Sequence, residues 1–280
     1  MKRKEEFDYV KEAKVLLFDE EVSPNLGWFY GQWQTTPIKI ERPPILLAIS
    51  WKWLGDKGKA QGKTLFDFPQ KDRYDDEGIV KYLWKLLDEA RIVVAHNGRR
   101  FDCKMANSFF LRHNMIPPSP YKTIDTLQMA RGNFKFDNNK LDYLGNLLMG
   151  EGKTEVTYKD CWYKMLEGND KEAKHAAKLM NRYCKNDSDL LEKIYLKLRP
   201  FTHNHPNMAL ASGHMNCCPR CGANKGFRIR SYRYTGAQVT AVQYSCDNCH
   251  SYVTRPLDKE ERKALGEQDK LKAVFRNSAP

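Results

Sequence analysis

Ala13-Lys14-Val15-Leu16-Leu17-Phe18-Asp19-Glu20-Glu21 runs from a short, nearly continuous apolar stretch straight into three acids. Such a run is the pattern of a strand buried on both faces of a sheet, bounded here by charge. Side chains alternate along a strand, so Asp19 and Glu21 share one face and Glu20 points away from it. Two carboxylates held that close repel each other unless a cation lies between them, which makes the strand end a candidate metal site. A strand running into an acidic loop has the same letters, and a lone D-x-E does not separate the two.

Outward from this strand the chain alternates between strand and helix patterns. Tyr30 to Ile40 and Ile45 to Leu54 are strand candidates, rich in aromatic and β-branched residues, with Pro43-Pro44 between them. Asp75 to Glu89 places Ile79, Val80, Leu83, Leu86 and Leu87 at helical spacing. Arg91 to His96 reads as a second buried strand, Asp102 to Arg112 as a helix and Tyr121 to Asp125 as a short strand. Leu141 to Met149 and Asp170 to Leu198 read as helical, with Asn186 a candidate break. The pattern predicts an α/β sheet with helices on both faces.

Two further stretches carry acids at such junctions. In His96-Asn97-Gly98-Arg99-Arg100-Phe101-Asp102 a buried strand ends, glycine permits a turn, and Asp102 opens a helix. Alone, Asp102 reads equally well as an ordinary N-cap. In Tyr183-Cys184-Lys185-Asn186-Asp187 a helix would put Tyr183 and Asp187 on one face, four residues apart. A core tyrosine beside a surface acid would look the same.

Taken together, the three stretches resemble the motifs of the DEDD, or DnaQ-like, 3′→5′ exonuclease superfamily. Phe18-Asp19-Glu20-Glu21 resembles the first motif, His96 to Asp102 the second, and Tyr183 to Asp187 the third in its Y-x-x-x-D form. Ile124-Asp125-Thr126-Leu127 and Leu141-Asp142-Tyr143-Leu144 are similar to further landmarks. The histidine variant would need its histidine at position 182, which is Arg182, so the resemblance is to the tyrosine subclass. It covers roughly residues 13 to 200 and implies an RNase H-like mixed sheet. It also implies that Asp19, Glu21, Asp102 and Asp187 hold two Mg²⁺ or Mn²⁺ ions about 3.5–4 Å apart, with Tyr183 orienting the attacking water. Asn97 would touch the terminal nucleotide and Arg99 or Arg100 a phosphate.

The end of the chain follows another logic. Cys218-Pro219-Arg220-Cys221-Gly222 and Cys246-Asp247-Asn248-Cys249 form paired C-x₂-C knuckles, the spacing of a tetrahedral zinc site. Cys217 could substitute for Cys218, and His214 or His250 could enter the ligand set. Between the knuckles, strand alternation groups Phe227 with Ile229, and Arg228, Arg230, Tyr232 and Tyr234 on the other face. Arginines with tyrosines suit phosphate contact and base stacking; tyrosines covering a thin core would give the same pattern. The expected organisation is a nuclease domain over residues 1–200, a linker over 201–214, a zinc ribbon over 215–257 and a charged tail over 258–280.

Of the 280 residues, 47 are Lys or Arg and 35 are Asp or Glu, a formal net charge of +12. That balance favours a polyanionic partner, nucleic acid first among them, and the resemblance implies DNA or RNA with a 3′ end. With no polymerase-sized segment after residue 200, a separate polymerase or another replication or repair protein is the expected protein partner. Clustered rather than dispersed cysteines favour metal ligation in a reducing cytoplasm, including at a nucleoid. No apolar run is long enough to span a bilayer, and Met1-Lys2-Arg3-Lys4-Glu5-Glu6 leads into no signal-like core. The competing functions are a nucleic-acid-binding protein with an inactive nuclease fold, a structure-specific endonuclease, and a cysteine-nucleophile enzyme built on Cys103 with His96 or His113.

Overall fold

The apolar run beginning at Val15 forms β1 (Val15–Val22) and is followed by a small hairpin, β2 (Leu26–Trp28) and β3 (Lys39–Arg42). This is a computed structural model, which describes residues 10–152, 159–214, 217–235, 238–260 and 262–263. After the hairpin come β4 (Leu46–Trp53), β5 (Gln61–Thr64), α1 (Glu77–Glu89), β6 (Ile92–Ala95), α2 (Asp102–Arg112), β7 (Lys122–Asp125) and α3 (Thr126–Asn133). Then α4 (Leu141–Met149), α5 (Lys164–Glu167), α6 (Asp170–Leu198) and α7 (Met208–Ser212) precede a second sheet of β8 (Phe227–Thr235), β9 (Gln238–Cys246) and β10 (Tyr252–Pro256).

The five-stranded sheet has the order β5-β4-β1-β6-β7. β4 runs antiparallel to β1 and to β5, whereas β6 is parallel to both β1 and β7, so the sheet is mixed. Alternation along β1 divides the core. Leu16 and Phe18 face one cluster with Leu83, Ala106 and Phe109 of α1 and α2. Val15 and Leu17 face another with Met129, Leu144, Leu191 and Tyr195 of α3, α4 and α6. Helices therefore cover both faces, as a sheet with two apolar faces requires.

α6 starts at a capping box: the Asn169 side chain accepts from the Lys171 and Glu172 amides at 3.1 and 3.0 Å, and Glu172 accepts from the Asn169 amide at 3.0 Å. It then runs unbroken for 29 residues, so no break occurs at Asn186. Its buried stripe begins with Ala173, Ala176, Ala177 and Met180 and ends with Leu190, Leu191, Ile194 and Leu198. Between those apolar stretches the stripe turns polar at Cys184, Asp187 and Ser188.

Three expectations need correction. Tyr30 to Ile40 is not a strand of the main sheet: the chain turns between β2 and β3, and most of its aromatic side chains are exposed. β5 and α3 are additional elements, and the 201–214 segment is not bare linker, since α7 lies within it, capped by the Asn207 side chain. That segment ties the two sheets together: the Met208 amide donates to the Pro219 carbonyl at 2.8 Å and Arg220 to the His203 carbonyl at 2.7 Å. Met1 to Glu6, Met215 and the tail from residue 264 onward lie outside the described residues.

Candidate functional site: an acidic centre and a four-cysteine cluster

β1 outruns its parallel neighbour. Pairing with β6 stops at Leu17, so Asp19, Glu20 and Glu21 project past the point where the two strands separate. α6 lies across this end of the sheet. Ser50 of β4, fully buried, donates to the Cys184 carbonyl at 2.7 Å and shares a 2.6 Å hydrogen bond with the Ser188 hydroxyl. The Cys184 thiol reaches both the carbonyl and the carboxylate of Asp19 at 3.7 Å. Two residues on and on the same face of β4, Lys52 bonds Glu192 at 2.5 Å, a second tie to the same helix.

This docking brings Asp19, Glu21 and Asp187 together, with one carboxylate oxygen of each inside a common 4.8 Å sphere of mutual distances. Asp187 is almost wholly buried; the other two are partly accessible. Three hard oxygen donors converging at that spacing have the chemistry of a divalent-cation site. Tyr183 is half-buried one turn before Asp187, with its ring edge-on to Trp162 at 6.5 Å between centroids.

Asp102 is brought to the same end of the sheet but lies outside that trio. It is buried at the first residue of α2, so it is not the helix N-cap, which is Phe101. Its position depends on the turn before it. Asn97 takes a left-handed conformation (φ 68°), and Asp125 of β7 accepts hydrogen bonds from the Asn97 and Arg99 amides at 2.9 and 3.3 Å. A side chain at Gly98 would overlap the Ala95 side chain.

Glu20 was expected merely to point away from Asp19 and Glu21. It is in fact 4% exposed, with neither carboxylate oxygen hydrogen-bonded among the described residues. Burial pushes its carboxyl well above the ordinary range, and the charges of Asp102, Asp19 and Glu21 push further the same way. The acidic triplet therefore sets a buried carboxyl of raised pKa between two partly accessible carboxylates that could hold a cation.

The proposed nucleotide contacts fare unevenly. Asn97 is half-buried, and Arg100 is exposed. Arg99 donates to the Thr123 carbonyl of the edge strand β7 at 2.8 Å, which holds its guanidinium two strands away from β1. The cysteine-nucleophile reading finds no support: burial and Asp102 push the Cys103 thiol up to about 11, and His113 is bonded to Asp76 at 2.7 Å.

The second centre is Cys218, Cys221, Cys246 and Cys249, all buried, with their sulfurs within 4.8 Å of one another. Cys218–Cys249 and Cys221–Cys246 are 3.8 and 3.7 Å apart, close to the edge of about 3.8 Å expected for sulfurs around one tetrahedral ion. Cys217, His214 and His250 do not belong to the quartet. Each knuckle closes in the same way: Gly222 donates to the Cys218 carbonyl, and His250 to that of Cys246, both at 2.8 Å. Both residues are left-handed, with φ 77° and 57°. Packed this closely, the four thiols act on one another: their mutual hydrogen bonds push Cys218 and Cys221 up and draw Cys246 and Cys249 down.

The face assignment along β8 also changes. The register shifts between Ile229 and Ser231, leaving Arg230 at a bulge. Tyr232 therefore lies opposite Val242 and packs with Tyr244 against Val239 and Leu257, away from Arg228. Arg233, opposite Ala241, joins Arg228, opposite Ser245, and Arg230 bonds the Ser245 hydroxyl at 3.0 Å. Tyr252 of β10 also pairs with Ser245, so the exposed tyrosine on the arginine face is Tyr252. Tyr234 is exposed near the end of the strand, and Arg228 bridges Asp247 at 2.9 Å.

No family model matches this chain, and no curated protein matches its sequence. Among the described residues no helix is long and apolar enough to cross a membrane.

Proposed function

We propose that this chain is a metal-dependent 3′→5′ exonuclease with an RNase H-like nuclease domain and a zinc ribbon that binds nucleic acid. The observation that carries the reading is the convergence of Asp19, Glu21 and Asp187. The motif resemblance implied these as ligands, and Asp187 comes to the strand that carries Asp19 and Glu21 from a helix far along the chain. The mixed sheet, with its central strand ending at the acids, supports the same reading.

Asp19, Glu21 and Asp187 would hold one Mg²⁺ or Mn²⁺ ion, cations that oxygen donors suit, and Asp102 would hold a second. When bound, such ions lower the pKa of a water and offset charge on the phosphate and the leaving 3′-oxygen. The residues of the chain do the rest. The Tyr183 hydroxyl, one turn from Asp187, would orient the attacking water. Glu20 is buried behind the site rather than open to it, and Cys184 and Ser188 fix the helix that carries Asp187. Products would be nucleoside 5′-monophosphates. The cysteine quartet suits Zn²⁺, which prefers thiolates in a closed tetrahedral set.

A second reading, an inactive nuclease fold that only binds nucleic acid, is favoured by one observation, the placement of Asp102 outside the trio. Incubating 3′- and 5′-labelled single-stranded DNA and RNA with Mg²⁺ or Mn²⁺, and in parallel with chelator, separates the two. Metal-dependent mononucleotide release from the 3′ end, abolished in a folded Asp19→Ala protein, is the expected result. Binding without cleavage, or an Asp19→Ala protein of undiminished activity, would overturn the exonuclease.

A further inference from the structure

The hairpin of β2 and β3 leaves the main sheet two residues after Glu21. Its root is clipped shut: Ser23 donates its amide to the Ile45 carbonyl, and its hydroxyl accepts the Ile45 amide, each at 2.9 Å. One side of the base is held where the Arg42 guanidinium stacks on Tyr74 at 3.9 Å and reaches Glu167 at the same distance. The excursion is thus an arm fixed at its base beside the acidic centre, not a strand that failed to pair.

Its composition is unusual for a solvent-facing segment. Trp28, Phe29, Tyr30 and Trp33 fall within six positions and are all exposed, Tyr30 by 87% and Trp33 by 88%. Clustered large aromatics at such exposure mark an interaction surface rather than scattered surface residues. From Val22 to Ile40 the sequence has no acid. Glu41, at the base, accepts from the Trp28 indole at 2.6 Å and from Lys39 at 3.2 Å, so its charge is already offset. The surface is aromatic, and its one basal acid is already paired. Each feature suits the π-faces and polyanionic backbone of unpaired nucleotides.

We infer that this arm is a stacking platform for the single-stranded nucleic acid whose 3′ end enters the acidic centre. The inference rests on the nuclease reading for the identity of the strand. Trp28 is seven residues beyond Glu21, at most about 25 Å of extended chain. Bases a few nucleotides from the scissile bond are therefore within its reach. Stacking tolerates any base, as an exonuclease moving along a strand requires.

The test measures affinity without chelator, so that the cysteine cluster keeps its metal, using the full chain and a fluorescently labelled, uncleavable phosphorothioate oligothymidylate. Tyr30→Ala/Trp33→Ala should bind about tenfold or more weakly than the parent, since each lost stack has that order of effect. A matched abasic strand, with the same charge and no bases to stack, should bind parent and variant equally. Equal affinity of parent and variant for the base-bearing strand would overturn the platform and leave the arm to a protein partner. Equal weakening on both strands would also overturn it, because charge or folding would then be the cause. Metal-dependent cleavage by the parent is read separately, so a failed nuclease reading is not confused with a failed arm.

Discussion

Gly98 shows how little space the acidic centre leaves. Its backbone turns the chain from β6 into α2, and a β-carbon there would overlap Ala95, a buried residue of the strand just left. Asp102 follows one helical turn later, so anything that moves the turn moves the carboxylate. Gly98→Ala should cost roughly 1–3 kcal/mol, the usual range for overpacking a tight interior. A lower thermal midpoint together with weaker nuclease activity, all four acids being intact, is the expected outcome. A variant with parental stability and parental cleavage would show that the turn has room. Glu20 makes the complementary case. A residue's face can be read from alternation, but its burial depends on what α2 places opposite, which no local pattern encodes.

At the level of elements, legibility followed apolar periodicity. β1, α1, α2 and α6 each carry an apolar stripe or run, and each lies where the sequence predicts it. β5 does not: Gln61-Gly62-Lys63-Thr64 is an edge strand with only Thr64 buried, so it has no apolar signal to read. α3 starts directly at the end of β7, where Asp125 caps it and also braces the Asn97 turn, so strand and helix share one boundary. In β8 period-2 reasoning held until the bulge at Arg230, which moved Tyr232 to the wrong face for the grouping predicted.

The segment after α6 is an element-scale case in which a buried titratable group fixes a connection. His205 accepts from the Tyr195 hydroxyl at 2.7 Å through Nε2 and donates from Nδ1 to the Pro206 carbonyl at 2.6 Å. Burial lowers its pKa from 6.5 to about 4. Above pH 6.5 the ring is neutral in both folded and unfolded chains, and its full contribution is present. As pH falls from 6.5 toward 4 the unfolded chain takes up a proton that the fold resists, so stability declines through that window. The decline is about 3 kcal/mol at most, from 1.36 kcal/mol per pKa unit. Denaturant titrations across this range should show it, and His205→Phe should flatten that part of the profile. A parent profile that is flat between pH 6.5 and 4 would mean the imidazole is not held neutral.

Over the whole molecule, a formal charge of +12 would favour the approach of a polyanion without saying where it would lie. Under the proposed function the two sheets would divide the labour: an acidic centre that a polyanion would have to approach, and a cysteine-cluster sheet whose arginines would offset the repulsion. Arg228 is partly committed to Asp247, which leaves Arg230 and Arg233 as the ribbon cations most available to phosphate. Each phosphate contact on a single strand contributes a slope of about −0.7 to the dependence of log affinity on log salt. Arg230→Gln/Arg233→Gln should therefore make that slope shallower by about 1.4 in chelator-free binding to an uncleavable phosphorothioate strand. Stripping the ribbon metal should act in the same direction, because four buried thiols without an ion no longer fix the face that carries the arginines. An unchanged slope in the double variant would place the strand elsewhere, leaving the arm and the acidic centre to bind it without the ribbon.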